Sequence, residues 1–283
     1  MKLVSFAQKG VARYGLVEGE GVVDLSARMG TEYPSLRALI AGNATAKAAD
    51  RFVGRGRADH ALSDIAFRPV IPDPDKILCV GLNYEDHVAE TGRTRPDYPT
   101  LFVRFANAQV GHGQPMVKPR ESDSFDYEGE IAIVIGKSGR RIPRERAYDY
   151  IAGFSCYNDG SVRDFQRHTS QFTPGKNFFA SGAFGPWLAT RDEVGDATAL
   201  TLKTRLNGIE MQSASARDMI FSFDALVAYC SLFTELVPGD VIVTGTPGGV
   251  GFARNPPLFM KPGDSVEVEV SSVGILRNPI SEG

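Results

Sequence analysis

The sequence predicts an α+β protein in which strands dominate, and three observations carry that expectation. The run Glu130 to Ile135 is almost continuously apolar and β-branched, as in a buried strand. Val266, Val268 and Val270 alternate with Glu267 and Glu269, the period of a half-buried strand. Helical periodicity is convincing only from Phe223 to Leu236.

The elements follow in chain order. Lys2 to Phe6, Ala12 to Val17 and Gly21 to Leu25 read as short strands, and Ser35 to Ala41 as a helix. Ala44 to Asp64 is rich in Ala, Arg and Gly without a firm period, and is expected on the surface. Pro69, Pro72 and Pro74 then prevent regular helix and favour an extended connector. We place a boundary there, with a small N-terminal α+β domain over residues 1–70 and a larger β-rich domain over residues 71–283. Ile77 to Val80 is a short strand ending at Gly81, and Ile151 to Cys156 is a second apolar segment. Pro238-Gly239-Asp240 and Pro262-Gly263-Asp264 each precede a strand-like segment. Proline presets φ at the first central turn position, and glycine supplies the positive φ that a type II turn needs next. On the one clear helix, Phe223, Leu226, Val227, Cys230 and Phe233 share a face, with Ser222 as N-cap and the Pro-Gly-Asp turn as terminator.

Composition narrows the function. Of 283 residues, 42% are apolar and 23% charged, enough for a sizeable core. A net charge of −3 argues against a nucleic-acid binder while leaving room for a local basic pocket. Cys79, Cys156 and Cys230 are far apart in apolar surroundings, which suggests buried reduced thiols rather than disulfides or a CxxC metal site. The start, MKLVSFAQKG, has no long apolar core, and no charge-free run is long enough to span a bilayer. A cytoplasmic enzyme that binds neither membrane nor nucleic acid is the expectation.

The chemistry concentrates in a few places. Residues two apart on a strand face the same way, so Glu128 and Glu130 project together where the chain becomes fully apolar. Paired carboxylates there repel each other and lose hydration unless a cation compensates. Their hard oxygens suit Mg²⁺, Mn²⁺ or Ca²⁺ better than zinc. The same Glu-x-Glu pattern also fits the solvated face of an edge strand. Asp159 follows the second apolar segment, where an Asx turn is an equally ordinary reading. Arg163 and Gln166 lie one and nearly two helical turns past it, and Lys176 stands in a Gly-Lys step among aromatics.

Val80-Gly81-Leu82-Asn83-Tyr84-Glu85-Asp86-His87, Tyr127-Glu128-Gly129-Glu130, Asn158-Asp159 with Arg163-Asp164-Phe165-Gln166, Gly175-Lys176 and Thr244-Gly245-Thr246-Pro247-Gly248-Gly249-Val250 occur in that order. Together they resemble the fumarylacetoacetate hydrolase superfamily, in its bacterial acylpyruvase and 2-hydroxyhepta-2,4-diene-1,7-dioate isomerase-like branch, over roughly residues 76 to 280. The resemblance implies a mixed β-sheet roll with short helices and a homodimer. It implies that Glu128, Glu130 and Asp159 bind one Mg²⁺ or Mn²⁺, and that Gln166 and Lys176 touch a bound 2-oxo acid. Arg163 would orient that wall or bind a carboxylate, and Thr246 would meet the substrate carboxylate through its hydroxyl or backbone N–H. His87 and Glu90 resemble the His/Glu pair of the acylpyruvase lid; three apart on a helix, they can meet. Leu82 stands where many relatives have Arg, Arg104 where many have Lys, and Gly160-Ser161-Val162 replaces a commoner Val-Thr-Ala. Asp86 is the nearest counterpart of a fourth ligand that the short branch usually lacks.

A 2-oxo acid chelating such a cation is activated through Lewis acidity, and the enolate that forms is stabilised electrostatically. The leading expectation is hydrolysis of a C–C bond in an acylpyruvate or related 2,4-dioxo acid, with His87 and Glu90 activating water. Isomerisation of a related dioate and decarboxylation of the oxaloacetate type use the same electron sink. A non-catalytic binding protein is the rival from another class.

Overall fold

A computed structural model of the chain, described for residues 1–55 and 57–283, contains a 12-stranded sheet, a five-stranded sheet and a two-stranded ribbon. The α+β, strand-dominated class is the one expected. Gly129–Ile135 lies inside the large sheet, antiparallel to Ile151–Asn158 on one side and to Val241–Val243 on the other. Val241–Val243 runs parallel to Ile77–Gly81, which carries the edge strand Thr100–Arg104.

Every residue of Gly129–Ile135 is buried. Ile131, Ile133 and Ile135 enter a core shared with Val266, Val268 and Val270 of the five-stranded sheet and with Leu226, Val227 and Cys230 of the helix Phe223–Phe233. Ala132 and Val134 face the opposite way, toward Leu36, Leu39 and Ile40 of the helix Leu36–Ala41. Burial on both faces explains why this strand reads as a continuous apolar run rather than an alternation. The first strand, Lys2–Gln8, pairs with Gly182–Thr190, so the N-terminal strands extend the large sheet.

Some local expectations need correction. Thr45–Phe52 is helical, in a segment read as irregular; Ala48 is buried and Phe52 packs against the same core, a stripe short and small in side chain. The long helix ends at Phe233 rather than Leu236, where Thr234 is already extended, before the Pro-Gly-Asp turn is reached. Phe233 is 56% exposed and does not join the buried face. Ser222 makes no side-chain cap; its hydroxyl donates to Asp224 instead. Both Pro-Gly-Asp glycines do take positive φ, +89° at Gly239 and +92° at Gly263. The three cysteines are free and buried. No helix among the described residues is long and apolar enough to cross a membrane.

Candidate active site

The site forms where three strand ends meet. Glu128 directly precedes Gly129–Ile135, and its N–H donates to Asn158 Oδ1 at 3.1 Å. The N–H of Asp159 donates to Glu128 O at 2.8 Å as the neighbouring strand ends. Gly129, between the two glutamates, has a steric reason: a Cβ there would fall 1.9 Å from Thr204 Oγ1. Gln212 secures the same point, accepting from Gly129 N–H at 2.9 Å and donating to Thr246 Oγ1 at 2.8 Å. Glu130 accepts the N–H of Gly245, whose φ of +104° lets the loop turn toward it.

Oxygens of Glu128, Glu130 and Asp159, one from each, lie within 4.8 Å of one another. Around them the charges nearly balance. Arg163 bonds Asp126 Oδ2 at 2.8 Å and Glu128 Oε1 at 2.6 Å. Lys176 Nζ bonds Glu128 Oε2, Asp159 Oδ2 and Ser161 Oγ, each at 2.7 Å, which engages all three ammonium protons. Arg104 is paired with Asp159. Four buried carboxylates (Asp126, Glu128, Glu130, Asp159) thus face three buried cations (Arg104, Arg163, Lys176). Glu130 alone has no cationic partner among the described residues.

That asymmetry sets the ionisation. Burial raises both glutamates, but Lys176 and Arg163 outweigh it at Glu128 and hold its carboxyl far below the usual range. At Glu130, burial and then the negative charges of Asp159 and Glu128 push the carboxyl well up. Burial opposes the charge on Lys176, yet Asp159 and Glu128 raise its pKa overall. One uncompensated carboxylate within a set of hard oxygen donors fits a divalent cation of the Mg²⁺ or Mn²⁺ kind.

Glu128, Glu130, Arg163, Gln166, Lys176, Thr246 and His87 all line one cavity of about 260 Å³. His87 lies on the lid helix Glu85–Glu90, and its Nδ1 is 2.8 Å from Glu90 Oε1. The other Glu90 oxygen accepts Gly249 N–H at 2.8 Å, so the pair is anchored to the glycine-rich loop. The Thr246 hydroxyl donates its one proton to Gly129 O at 2.9 Å. Arg163 carries a buried Nη2 without a partner, a free donor on a cavity-lining side chain. Asp86 bonds His87 N–H at 2.8 Å and stands outside the carboxylate cluster. Leu82, at φ +60°, turns the chain from strand into lid and adds an apolar patch to the cavity; such a backbone is strained for a side chain of this type.

Several residues that build the site carried no role in the sequence reading. Asn83 is fully buried, donates to Thr244 O (2.7 Å) and Phe221 O (3.0 Å), and accepts Phe221 N–H (2.7 Å), pinning the root of the lid. Asp126 directly precedes the Tyr127-Glu128-Gly129-Glu130 motif, but its pairing with Arg163 spans 37 residues and leaves no local signal. Gln212 and Ser161 are ordinary polar residues by sequence, and only the fold brings them here.

Residues 76–281 match the family described as fumarylacetoacetate (FAA) hydrolase C-terminal. The chain is 38% identical to the mitochondrial oxaloacetate tautomerase FAHD2A of Bos taurus, over 99% of this chain and 91% of that protein. It is similar to the structure of a fumarylacetoacetate hydrolase from Exiguobacterium antarcticum, with 30% identity, TM-score 0.84 and full coverage of both chains. A maleylpyruvate hydrolase from Sphingobium sp. SYK-6, in complex with manganese(II) and pyruvate, matches at 27% identity and TM-score 0.83, covering 100% of each chain.

Proposed function

Because the chain belongs to the fumarylacetoacetate (FAA) hydrolase family, we propose that it is a divalent-metal-dependent enzyme that interconverts the keto and enol forms of a small 2-oxo acid. Oxaloacetate is the first substrate to test. The observation that carries this reading is the His87–Glu90 pair opening onto the same cavity as the carboxylate cluster.

Glu128, Glu130 and Asp159 would hold Mg²⁺ or Mn²⁺. When bound, such an ion supplies Lewis acidity that favours the enolate form of a 2-oxo acid. Glu90 accepts the Nδ1 proton of His87, which leaves Nε2 as the base. His87 then removes a proton from the carbon next to the keto group and returns it to the keto oxygen: one C–H bond breaks, one O–H bond forms, and no water is consumed. Arg163, through its free Nη2, and Gln166 receive the substrate carboxylate. Lys176 keeps Glu128 ionised and holds Asp159 in place. Thr246, its hydroxyl proton engaged, offers its backbone N–H.

Hydrolysis of a C–C bond in an acylpyruvate is the second reading. It is favoured by the same dyad, which can deprotonate a water, and by the likeness to a maleylpyruvate hydrolase. Isomerisation or decarboxylation of a related 2-oxo dioate would also use the dyad or the cluster. We further place the enzyme in the cytoplasm as a homodimer.

The test is to give EDTA-stripped protein Mg²⁺ or Mn²⁺ and follow oxaloacetate enol absorbance, CO₂ release, and pyruvate release from acetylpyruvate and fumarylpyruvate. Metal-dependent acceleration of enol decay without CO₂ supports the tautomerase. Pyruvate plus a carboxylic acid from the 2,4-dioxo acids, with no effect on enol decay, moves the assignment to the hydrolase.

A further inference from the structure

The basic groups that line the cavity fall into two kinds, paired and unpaired. Its inner basic groups, Arg163 and Lys176, are bound to buried carboxylates. Its other two cations, Arg93 and Arg167, are exposed, and neither has an acidic partner or a side-chain hydrogen bond among the described residues. Each lies over an aromatic ring. The Arg93 guanidinium is 5.8 Å from the centre of Phe172, and that of Arg167 is 4.5 Å from the centre of Phe252. Both rings also line the cavity. An aromatic seat holds a guanidinium plane and leaves its edge N–H groups free.

The two arginines come from different segments. Arg93 follows the lid helix, one residue after Gly92 at φ +64°, and Arg167 caps the short helix Arg163–Gln166. Solvated surface arginines need not share a cavity; these do, each against its own ring, and the Phe252 ring also carries Arg163 at 4.4 Å. The chain as a whole is acidic, at −3, so this free positive charge is a local feature.

We propose that Arg93 and Arg167 form a rim that binds the second carboxylate of a 2-oxo dicarboxylate, which makes the enzyme selective for dianionic substrates. The proposal rests on the 2-oxo acid reading of the cavity and extends it to substrate class. The 2-oxo head group lies at the Glu128–Glu130–Asp159 end, and the far carboxylate meets the edge N–H groups that the guanidiniums present.

The experiment is calorimetric titration of Mn²⁺-loaded protein with oxaloacetate and with pyruvate, which lacks the second carboxylate, for wild type, Arg93→Gln, Arg167→Gln and the double variant. Thermal melts confirm that each variant is folded, as expected for exposed side chains. Wild type is expected to bind oxaloacetate at least about tenfold more tightly than pyruvate, the lower range for a charge-assisted hydrogen bond. Each single variant loses most of that preference and the double variant all of it, while pyruvate affinity changes less than about twofold. Equal losses for both ligands, or a preference that survives the double substitution, overturns the rim. Enolisation measured on the same samples separates the two claims. Preference lost in variants of a protein that does not enolise oxaloacetate leaves the rim standing and removes the catalytic reading. Enolisation with the preference intact in the double variant does the reverse.

Discussion

Glu90→Gln asks the most of the proposed dyad, because the substitution is nearly isosteric and changes one thing. The structure requires two acceptors at this side chain, one for His87 Nδ1 at 2.8 Å and one for Gly249 N–H at 2.8 Å. An amide has one acceptor and one donor end. If its oxygen stays on Gly249, its NH₂ faces Nδ1, which must then be unprotonated; the ring proton moves to Nε2 and the base is lost. If the oxygen turns to Nδ1, the NH₂ opposes Gly249 N–H, at a cost of about 1–3 kcal/mol for the unmet donor. The first arrangement avoids that penalty, so most molecules carry the wrong tautomer. A positioned general base contributes about 10²- to 10⁴-fold, and a loss of that order in kcat for oxaloacetate enol–keto interconversion is expected. Metal affinity and KM should change little, since Glu90 stands outside the carboxylate cluster. The assay is enol absorbance decay at saturating substrate and Mn²⁺, with a parallel metal titration. Wild-type kcat in Glu90→Gln would refute the dyad, and a kcat loss matched by a loss of metal binding would show that Glu90 acts through the cluster.

Mn²⁺ at about 100 times its Kd should stabilise wild type by roughly 2.7 kcal/mol in thermal or denaturant unfolding. Glu130→Gln should abolish most of that gain, and an undiminished gain would count against Glu130 as a ligand. Lys176→Met leaves Glu128 and Asp159 each short of a bonded cation, which should destabilise the metal-free protein by about 3–5 kcal/mol in urea; a loss under about 1 kcal/mol would mean that the ammonium is not holding the carboxylates. Gly129→Ala should cost about 1–3 kcal/mol through its clash with Thr204. Adding Thr204→Ala should recover part of that loss, and no recovery in the double variant would place the strain elsewhere.

What could be read from sequence was what short-range periodicity encodes. Glu128 and Glu130 are two apart at the mouth of an apolar strand, and the cavity indeed receives both. His87 and Glu90 are three apart and do meet. The counter-charges were not legible in the same way. Lys176 reaches Glu128 across 48 residues and Arg104 reaches Asp159 across 55, and no local pattern announces a partner at that distance. Arg104 had stood out only as a departure from the family pattern, and its buried pairing with Asp159 explains why a cation is wanted there. The Thr45–Phe52 helix escaped detection because its core contacts come from Ala48 and the half-buried Phe52 alone, and Phe233 misled because helical spacing alone does not say where the last turn meets solvent.

The pairing of Lys2–Gln8 with Gly182–Thr190 has a consequence for how the molecule is made. The first strand leaves the ribosome early, and the hairpin it forms with Val11–Glu18 can assemble at once from local contacts. Its other edge must wait: the N-terminal amine donates to Thr190 Oγ1 across 189 residues. Val241–Val243, which flanks the glutamate-bearing strand, arrives later still. Pairings this distant in sequence close slowly. The glutamates are therefore synthesised well before Lys176 and before the loop that caps Glu130, and their mutual repulsion counts against early closure of the centre. Assembly of the carboxylate cluster is expected to be among the last events of folding, once Val241–Val243 has been synthesised.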